Sequence, residues 1–219
     1  LLGGAQGVIG WWMVKSGLVN DPAVSQYRLA THLMMAMLIL GLLLWTGLDA
    51  RGGVRVAAGA AAPIDRAARR GALVCMALLV TTIAAGAFVA GLDAGLAYNT
   101  FPLMDGQWVP PGYLDQEPWW RNHLENTASV QFNHRLLATV TATVIVANWL
   151  YLRGRPVAAR TRRWAALAAA LAGGQFALGV AVILLAVPVA LGALHQLVAV
   201  ALFAAMVTLV HGLVRPARG

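Results

Sequence analysis

Long stretches without a charged residue constrain this chain more than any other feature. Residues 29–48 and 71–92 reach the ~20 residues that a helix needs to cross the hydrocarbon core of a bilayer. Residues 136–152 form a shorter stretch, and residues 164–214 are long enough for two crossings with a turn at Pro188, which cannot donate a backbone hydrogen bond. Together with the apolar start of the chain, this pattern predicts an all-α membrane protein with six transmembrane helices.

The charged residues are few and unevenly placed. They make up 11% of the chain, against about 25% in a soluble domain, and the net charge is +8. Arginines fill the alternate connections at residues 51–70 and 153–163 and the C-terminal tail, whereas the intervening loops carry most of the acidic residues. Because basic residues favour cytoplasmic loops, we expect a multi-pass protein of the cell inner membrane, with the long loop at residues 93–126 on the periplasmic side. The membrane explains the positive charge, and no nucleic acid partner is expected.

A weak internal repeat divides the chain into two halves. In each copy a glutamine precedes a glycine by four residues, and the next helix carries a histidine. The copies are Gln6, Gly10 and His32, and Gln175, Gly179 and His195. If the unit is a four-helix bundle, residues 71–219 form a complete C-terminal bundle. Residues 1–50 are then the second half of a pseudo-symmetric N-terminal bundle, and residues 51–70 are a cytoplasmic linker.

Three histidines lie at matching depths inside the predicted helices. His32, His134 and His195 follow the outer ends of their helices by six to eight residues, which places each of them roughly 9 to 12 Å below that end. A single histidine there is readily explained as a polar residue of the core, but ionisable residues within a membrane generally mark functional sites. Two neutral imidazoles from facing helices, His134 and His195, suit a six-coordinate haem iron. Zinc requires three or four clustered ligands, which the helices do not offer.

Two arginines accompany these histidines. Arg28 precedes His32 by four residues and shares its helical face, where it suits a haem propionate or serves as a plain interfacial arginine. Arg135 adjoins His134 but is expected to point elsewhere, toward a propionate or an acidic residue of the outer loop. His123 and His211 are expected to be solvated and interfacial, outside the site. The aromatic residues of the outer loop are explained equally well by the membrane interface and by a functional role.

Several motifs together resemble haem A synthases of the proteobacterial and mitochondrial branch. The motifs are the loop Tyr98-Asn99-Thr100-Phe101-Pro102-Leu103-Met104, the stretches Gln131 to Arg135 and Leu191 to Gln196, and Gly10 to Leu18 with Tyr27 to His32. The resemblance implies an eight-helix protein of two pseudo-symmetric four-helix bundles, each with a histidine pair on its second and fourth helices. It also implies an oxidoreductase that converts the C8 methyl group of haem O to a formyl group, giving haem A for terminal oxidases.

The resemblance assigns a role to each histidine. It implies that His134 and His195 bind the iron of a resident haem b, and that His32 is a catalytic residue that binds the substrate haem O. It further implies two earlier helices that carry the partner of His32 and a catalytic glutamate. The sequence given is therefore expected to be an N-terminally truncated form that is inactive alone.

Partners and rival functions complete the predictions. Membrane lipid, haem O synthase and the cytochrome oxidase assembly machinery are the expected partners, with a homo-oligomer as a further possibility. One rival function is a b-type cytochrome that transfers electrons without modifying its haem. The other is a non-enzymatic transporter or assembly factor whose histidines bind a proton or a metal.

Overall fold

The computed structural model describes residues 1–17, 24–51 and 65–215, and its regular structure there is helical. The six α-helices are α1 (Leu2–Gly17), α2 (Gln26–Arg51), α3 (Arg66–Gly91), α4 (Thr127–Arg153), α5 (Ala159–Leu184) and α6 (Val189–Val214). Two short 3-10 helices, Ala94–Leu96 and Trp119–His123, lie in the outer loop. The all-α prediction is confirmed.

Five of the six helices are long and apolar enough to cross a membrane, so the chain is a multi-pass membrane protein. Helices α2 to α6 have 26 or 27 residues each. Helix α1 has 16 described residues, and at a rise of about 1.5 Å per residue it spans only about 24 Å of a hydrocarbon core that is about 30 Å thick. The predicted number of six transmembrane helices is therefore confirmed for five of them.

The helices extend beyond the uncharged stretches at their arginine-rich ends. Helix α3 begins at Arg66, because the side chain of Asp65 accepts hydrogen bonds from the backbone amides of Ala67 and Ala68. Residues 66–70, which the sequence assigned to the linker, therefore belong to α3. Helix α5 likewise begins at Ala159 rather than near residue 164. Arginine at a helix end keeps its charge in water while its aliphatic stem covers apolar surface. The remainder of the predicted linker, residues 52–64, lies outside the described residues.

Helices α3 to α6 form a closed four-helix arrangement, which we call the C-terminal bundle. Each helix packs against the next, and α6 packs back against α3, so that α4 and α6 are diagonal to one another. Helices α1 and α2, which we call the N-terminal pair, join this bundle through contacts of α2 with α3 and α6. Helix α6 thus has neighbours on three sides, and most of its apolar middle is buried. This position explains why α6 is apolar all round its circumference.

Polar contacts join the elements at the arginine-rich end of the helices. Asp49 of α2 accepts a hydrogen bond from Nε2 of His211 at 2.9 Å and pairs with Nη1 of Arg215 at 2.6 Å. Asp65 pairs with Nε of Arg155 at 2.7 Å. The hydrogen bond from Arg155, together with the amide of the first turn of α3, holds the pKa of Asp65 below its usual value. These contacts place the arginine-rich connections on one side, as the alternation of loops predicts.

Candidate functional site

A cavity of about 610 Å³ lies inside the C-terminal bundle, near its outer end. Side chains of all four helices line it, and both His134 of α4 and His195 of α6 are among them. Its volume falls within the roughly 300 to 1,000 Å³ that is typical of cofactor and small-molecule sites. The structure therefore brings together the two histidines that the sequence paired, and His32 lies apart from them in the N-terminal pair.

Each of the three histidine rings packs against a glycine of the preceding helix. A Cβ atom built on Gly86 would lie 3.0 Å from Cε1 of His134, and one built on Gly179 would lie 3.0 Å from Cε1 of His195. The corresponding distance from Gly10 to Cε1 of His32 is 3.1 Å. At these distances a Cβ atom would require the histidine ring to move by a few tenths of an ångström. The glycines therefore fix the position of each ring against its neighbouring helix.

The sequence repeat includes two of these three glycines but not Gly86. Gly10 and Gly179 each follow a glutamine by four residues, but Thr82 occupies the equivalent position before Gly86. The Thr82 hydroxyl donates a hydrogen bond to the carbonyl of Leu78 at 2.8 Å. It also lies 2.7 Å from the hydroxyl of Thr141. Gly86 is one of three glycines of α3, with Gly71 and Gly91, and the sequence does not mark which of them contacts His134.

The two glutamines of the repeat contact the histidine rings. Nε2 of Gln175 lies 3.2 Å from Nε2 of His195. Nε2 of Gln6 lies 3.2 Å from Nδ1 and 3.3 Å from Nε2 of His32, and it also donates to the His32 carbonyl. No side chain among the described residues forms a hydrogen bond with the ring of His134. The Nδ1 atoms of His134 and His195 are buried without a partner in the described part of the chain.

The donor set suits a haem better than a metal ion held by protein ligands alone. Within residues 1–17, 24–51 and 65–215, no three His, Cys, Asp or Glu side chains lie close enough together to hold a metal ion. Two histidines on diagonal helices are sufficient only when another molecule supplies the remaining ligands, as a porphyrin does. The largely apolar lining, and the glycines that hold the rings, fit a flat apolar cofactor between α4 and α6.

Arg135 lines the same cavity as His134, and its guanidinium reaches the outer loop. Its Nη1 donates to the carbonyl of Thr100 at 2.8 Å, and its Nη2 donates to the carbonyl of Tyr98. The outer loop thus offers backbone carbonyls rather than the expected acidic side chain. The reason is that the loop folds back over α4, where the guanidinium reaches it. Nε of Arg135 is buried and has no partner among the described residues.

Arg28 belongs to a different environment. Its Nη1 donates to the carbonyl of Trp12 at 3.0 Å, and its guanidinium lies over the Trp12 ring, 4.6 Å from the centroid. It therefore lies at the outer end of α2, on the same helix as His32, where it contacts Trp12 of α1, and it does not line the cavity of the C-terminal bundle. The expected approach of Arg28 to a haem propionate stays a prediction about the N-terminal half.

The outer loop contains a docked part and an exposed part. Asn99 donates to the carbonyl of Ile183 in α5 at 2.8 Å, which ties the start of the loop to the bundle. Phe101 lines the cavity and packs edge-on against Phe176, with ring centroids 6.1 Å apart. Trp108 is 74% exposed. Phe101 thus brings the motif at residues 98–104 to the cavity wall, while the later aromatic residues are placed as membrane-interface anchors would be.

The two remaining histidines lie outside the cavity, as the sequence suggested. His123 is exposed, and its ring contacts the side chain of Asn133 and the Trp119 ring. His211 is partly buried at the arginine-rich end of the helices, where it contacts Asp49 and the Trp45 ring.

Comparison with known proteins gives a consistent family. The model of the family described as "Cytochrome oxidase assembly protein" (COX15-CtaA) matches residues 1–207. The chain is 42% identical over 218 residues to "Heme A synthase" of Nitrosospira multiformis, which covers 98% of the chain and 60% of that relative. It is 46% identical over 216 residues to "Heme A synthase" of Rhodospirillum centenum, covering 99% of the chain and 56% of the relative.

A plant protein is similar to the same degree. The match to "Heme A synthase COX15" of Arabidopsis thaliana is 42% identical over 223 residues and covers 98% of the chain and 49% of the relative. The chain therefore spans 49% to 60% of the length of these three relatives. No solved structure matches the chain.

Proposed function

Because the chain belongs to the COX15-CtaA family of cytochrome oxidase assembly proteins, we propose that it is part of a haem A synthase. The reaction is the oxidation of the C8 methyl group of haem O to a formyl group, which gives haem A for terminal oxidases. The names of its relatives support the activity. The observation that carries a haem site in this chain is the placement of His134 and His195 on diagonal helices around one cavity.

In this proposal the C-terminal bundle holds a resident haem b through His134 and His195. Such a haem supplies one-electron chemistry, which the side chains of the bundle lack. Gly86 and Gly179 fix the two imidazoles at the separation that the helices impose. Nε of Arg135 is the free donor on the cavity wall that is best placed for a propionate, since its two Nη atoms already hold the outer loop.

The substrate haem O belongs to the N-terminal half in the same proposal. Residues 1–50 are the second half of an N-terminal bundle, and His32 is the ligand of the substrate haem, with Arg28 nearer the outer surface. The contact of His32 with Gly10 and Gln6 repeats the contact of His195 with Gly179 and Gln175, which supports equivalent roles. The rest of the substrate site, including the partner of His32 and an acidic residue, comes from helices that precede these in the family.

The location and partners follow from the same placement. The arginine-rich end of the helices is cytoplasmic by the charge rule, so the histidines lie toward the periplasmic face of the inner membrane. Haem O synthase, which would deliver the substrate, and the oxidase assembly machinery, which would receive haem A, are the proposed partners. A homo-oligomer is compatible with the exposed apolar faces of the helices.

A haem spectrum tests the site directly. The purified protein is reconstituted with haem b, and its reduced-minus-oxidised absorption spectrum is recorded. His134→Ala and His195→Ala are expected to abolish the low-spin b-type signal, because each removes an axial ligand, whereas the matched variant His32→Ala is expected to retain it. An unchanged spectrum in the His134→Ala protein would show that the ligand assignment is wrong.

Activity separates haem A synthesis from its rivals. In the full-length protein, His32→Ala is expected to abolish conversion of haem O while the b-type spectrum persists. A simple b-type cytochrome has the same His134–His195 site and would produce no haem A in any variant. A transporter or assembly factor would show no haem spectrum at all.

A further inference from the structure

Gln175 contacts the ring atom of His195 that a haem iron would need. The amide nitrogen of Gln175 can only donate a hydrogen bond, so the atom that faces it at 3.2 Å, Nε2 of His195, is the acceptor. His195 then carries its proton on Nδ1. This neutral tautomer, with a lone pair on Nε2, is also the form that binds a metal through Nε2. The glutamine and an iron therefore compete for the same lone pair.

The opposite histidine has no such competitor. On α3 the position four residues before the contacting glycine is Thr82, and its hydroxyl is engaged by Leu78 and Thr141 instead. No side chain among the described residues forms a hydrogen bond with the ring of His134. Both imidazoles that line the cavity pack against a glycine. Within the described residues, only His195 also has a side-chain hydrogen-bond donor beside its Nε2 lone pair.

On the premise that these two histidines hold the resident haem, we propose that Gln175 makes His195 the exchangeable axial ligand and leaves His134 as the fixed one. When His195 releases the iron, its freed Nε2 accepts the hydrogen bond of Gln175 and is not left buried without a partner. When His134 releases the iron, no side chain among the described residues donates a hydrogen bond to its freed ring nitrogen. The open state on the α6 side is therefore stabilised relative to the open state on the α4 side.

A related contact occurs in the N-terminal pair, where Nε2 of Gln6 lies 3.2 Å from Nδ1 and 3.3 Å from Nε2 of His32 and so faces neither ring nitrogen alone. Gln6 and Gln175 also share a buried Oε1 atom without a partner in the described residues. A glutamine amide beside a histidine, on α1 and α2 and again on α5 and α6, is thus a feature of both halves.

Carbon monoxide binding to the ferrous haem b protein tests the proposal, because the gas binds only where an axial ligand has left. Gln175→Leu keeps the approximate size of the side chain and removes the donor. It is expected to slow carbon monoxide binding by about two- to tenfold, since one net hydrogen bond no longer stabilises the open state. Transfer of haem to an excess of a haem-scavenging protein is expected to slow as well. Gln175→Met serves as a second variant if Gln175→Leu does not fold.

Two controls assign the effect to His195. Gln6→Leu, the same substitution in the N-terminal pair, is expected to leave both rates of the resident haem unchanged. In a His195→Ala background, Gln175→Leu is expected to have no effect, because the pair that it disrupts is already absent. Unchanged or faster carbon monoxide binding in both Gln175 variants, or an equal effect without His195, would overturn the proposal.

The outcome also distinguishes this inference from the proposed function. A wild-type protein that shows no bis-histidine haem spectrum overturns both. A protein that keeps that spectrum in every Gln175 variant and binds carbon monoxide at the wild-type rate overturns only the role of Gln175.

Discussion

The N-terminal pair and the C-terminal bundle contain the same local arrangement in two different settings. In both, a glutamine and a glycine of one helix contact a histidine of the next, as in Gln6, Gly10 and His32. In the bundle, a second histidine on the diagonal helix lines the same cavity as the first. In the described part of the N-terminal pair, His32 is the only histidine. The contact with glutamine and glycine orients one histidine ring, but a haem site needs a second histidine from another helix.

Packing separates the two regions further. The C-terminal bundle closes on itself, since α6 packs against α3, and its helices share most of the buried core. Helix α1 packs on α2, and Cβ atoms built on Gly3, Gly4 and Gly7 would meet nothing within 4 Å. The resident haem site is thus formed by helices that support one another. We therefore expect changes in the N-terminal pair to leave that site intact.

The largest expected effect comes from filling the glycine contacts of the bundle. Gly86→Ala and Gly179→Ala place a methyl group 3.0 Å from a ligand ring, and we expect haem affinity to fall by about tenfold or more, as for other changes that reorient a metal ligand. Haem titration measures the affinity. Gly174→Ala on the same helix, where nothing lies within 4 Å, is the matched control.

Gly10→Ala sharpens the comparison between the halves. It crowds His32 by the same kind of contact, yet the affinity for the resident haem is expected to stay at the wild-type value. If Gly10→Ala lowers that affinity as much as Gly179→Ala does, the two halves do not act independently.

A smaller effect is expected when the outer loop is released from the bundle. Arg135→Gln removes a guanidinium that holds the carbonyls of Tyr98 and Thr100. We expect faster amide hydrogen exchange across residues 98–104 and a shifted midpoint potential of the haem, because the outer end of the cavity becomes more accessible to water. Arg121→Gln, an exposed arginine elsewhere in the loop, is the control. Equal amide hydrogen exchange in the two variants would show that Arg135 does not hold the outer loop against the bundle.

The contact between the two regions is expected to contribute less. Asp49→Asn removes the carboxylate that pairs with His211 and Arg215, and we expect the Tm to fall by about 2 °C, in the range of partly exposed ion pairs. The b-type spectrum is expected to persist, because the pair lies at the opposite end of α6 from His195. Loss of the spectrum would show that the N-terminal pair supports the haem site.

The smallest effect concerns a capping contact within the bundle and depends on pH. The pKa of Asp65 is lowered in the folded protein, chiefly by the hydrogen bond from Arg155. The stabilisation that the ionised Asp65 carboxylate provides is therefore fully present above its unfolded-state pKa of about 3.9. It is lost as the pH falls through the lowered pKa of the folded protein. Asp65→Asn keeps a capping oxygen, so the difference in Tm from wild type is expected to be constant near neutral pH and to vanish on acidification.

Much of the site was predictable because it is encoded by position along single helices. The depth of His134 and His195 follows from the helical rise, and the repeat of Gln175 and Gly179 is visible in the sequence. The contact of Gly86 with His134 was not predicted, since Thr82 replaces the glutamine that marks the other copies. The backbone carbonyls that Arg135 contacts were not predicted, because they depend on how the outer loop folds back.

The sequence by itself determined the helices, their alternation across the membrane and the depth of each histidine. These depend on the length of apolar stretches and on charge, which act on one segment at a time. Only the tertiary structure decided which helix faces meet: that α4 and α6 are diagonal, that a cavity separates them, and that Gln175 points at Nε2 of His195. The physical reason is that lipid is as apolar as the core of the bundle, so hydrophobicity does not distinguish an inward face from an outward one. Packing of small residues and a few polar contacts make that choice.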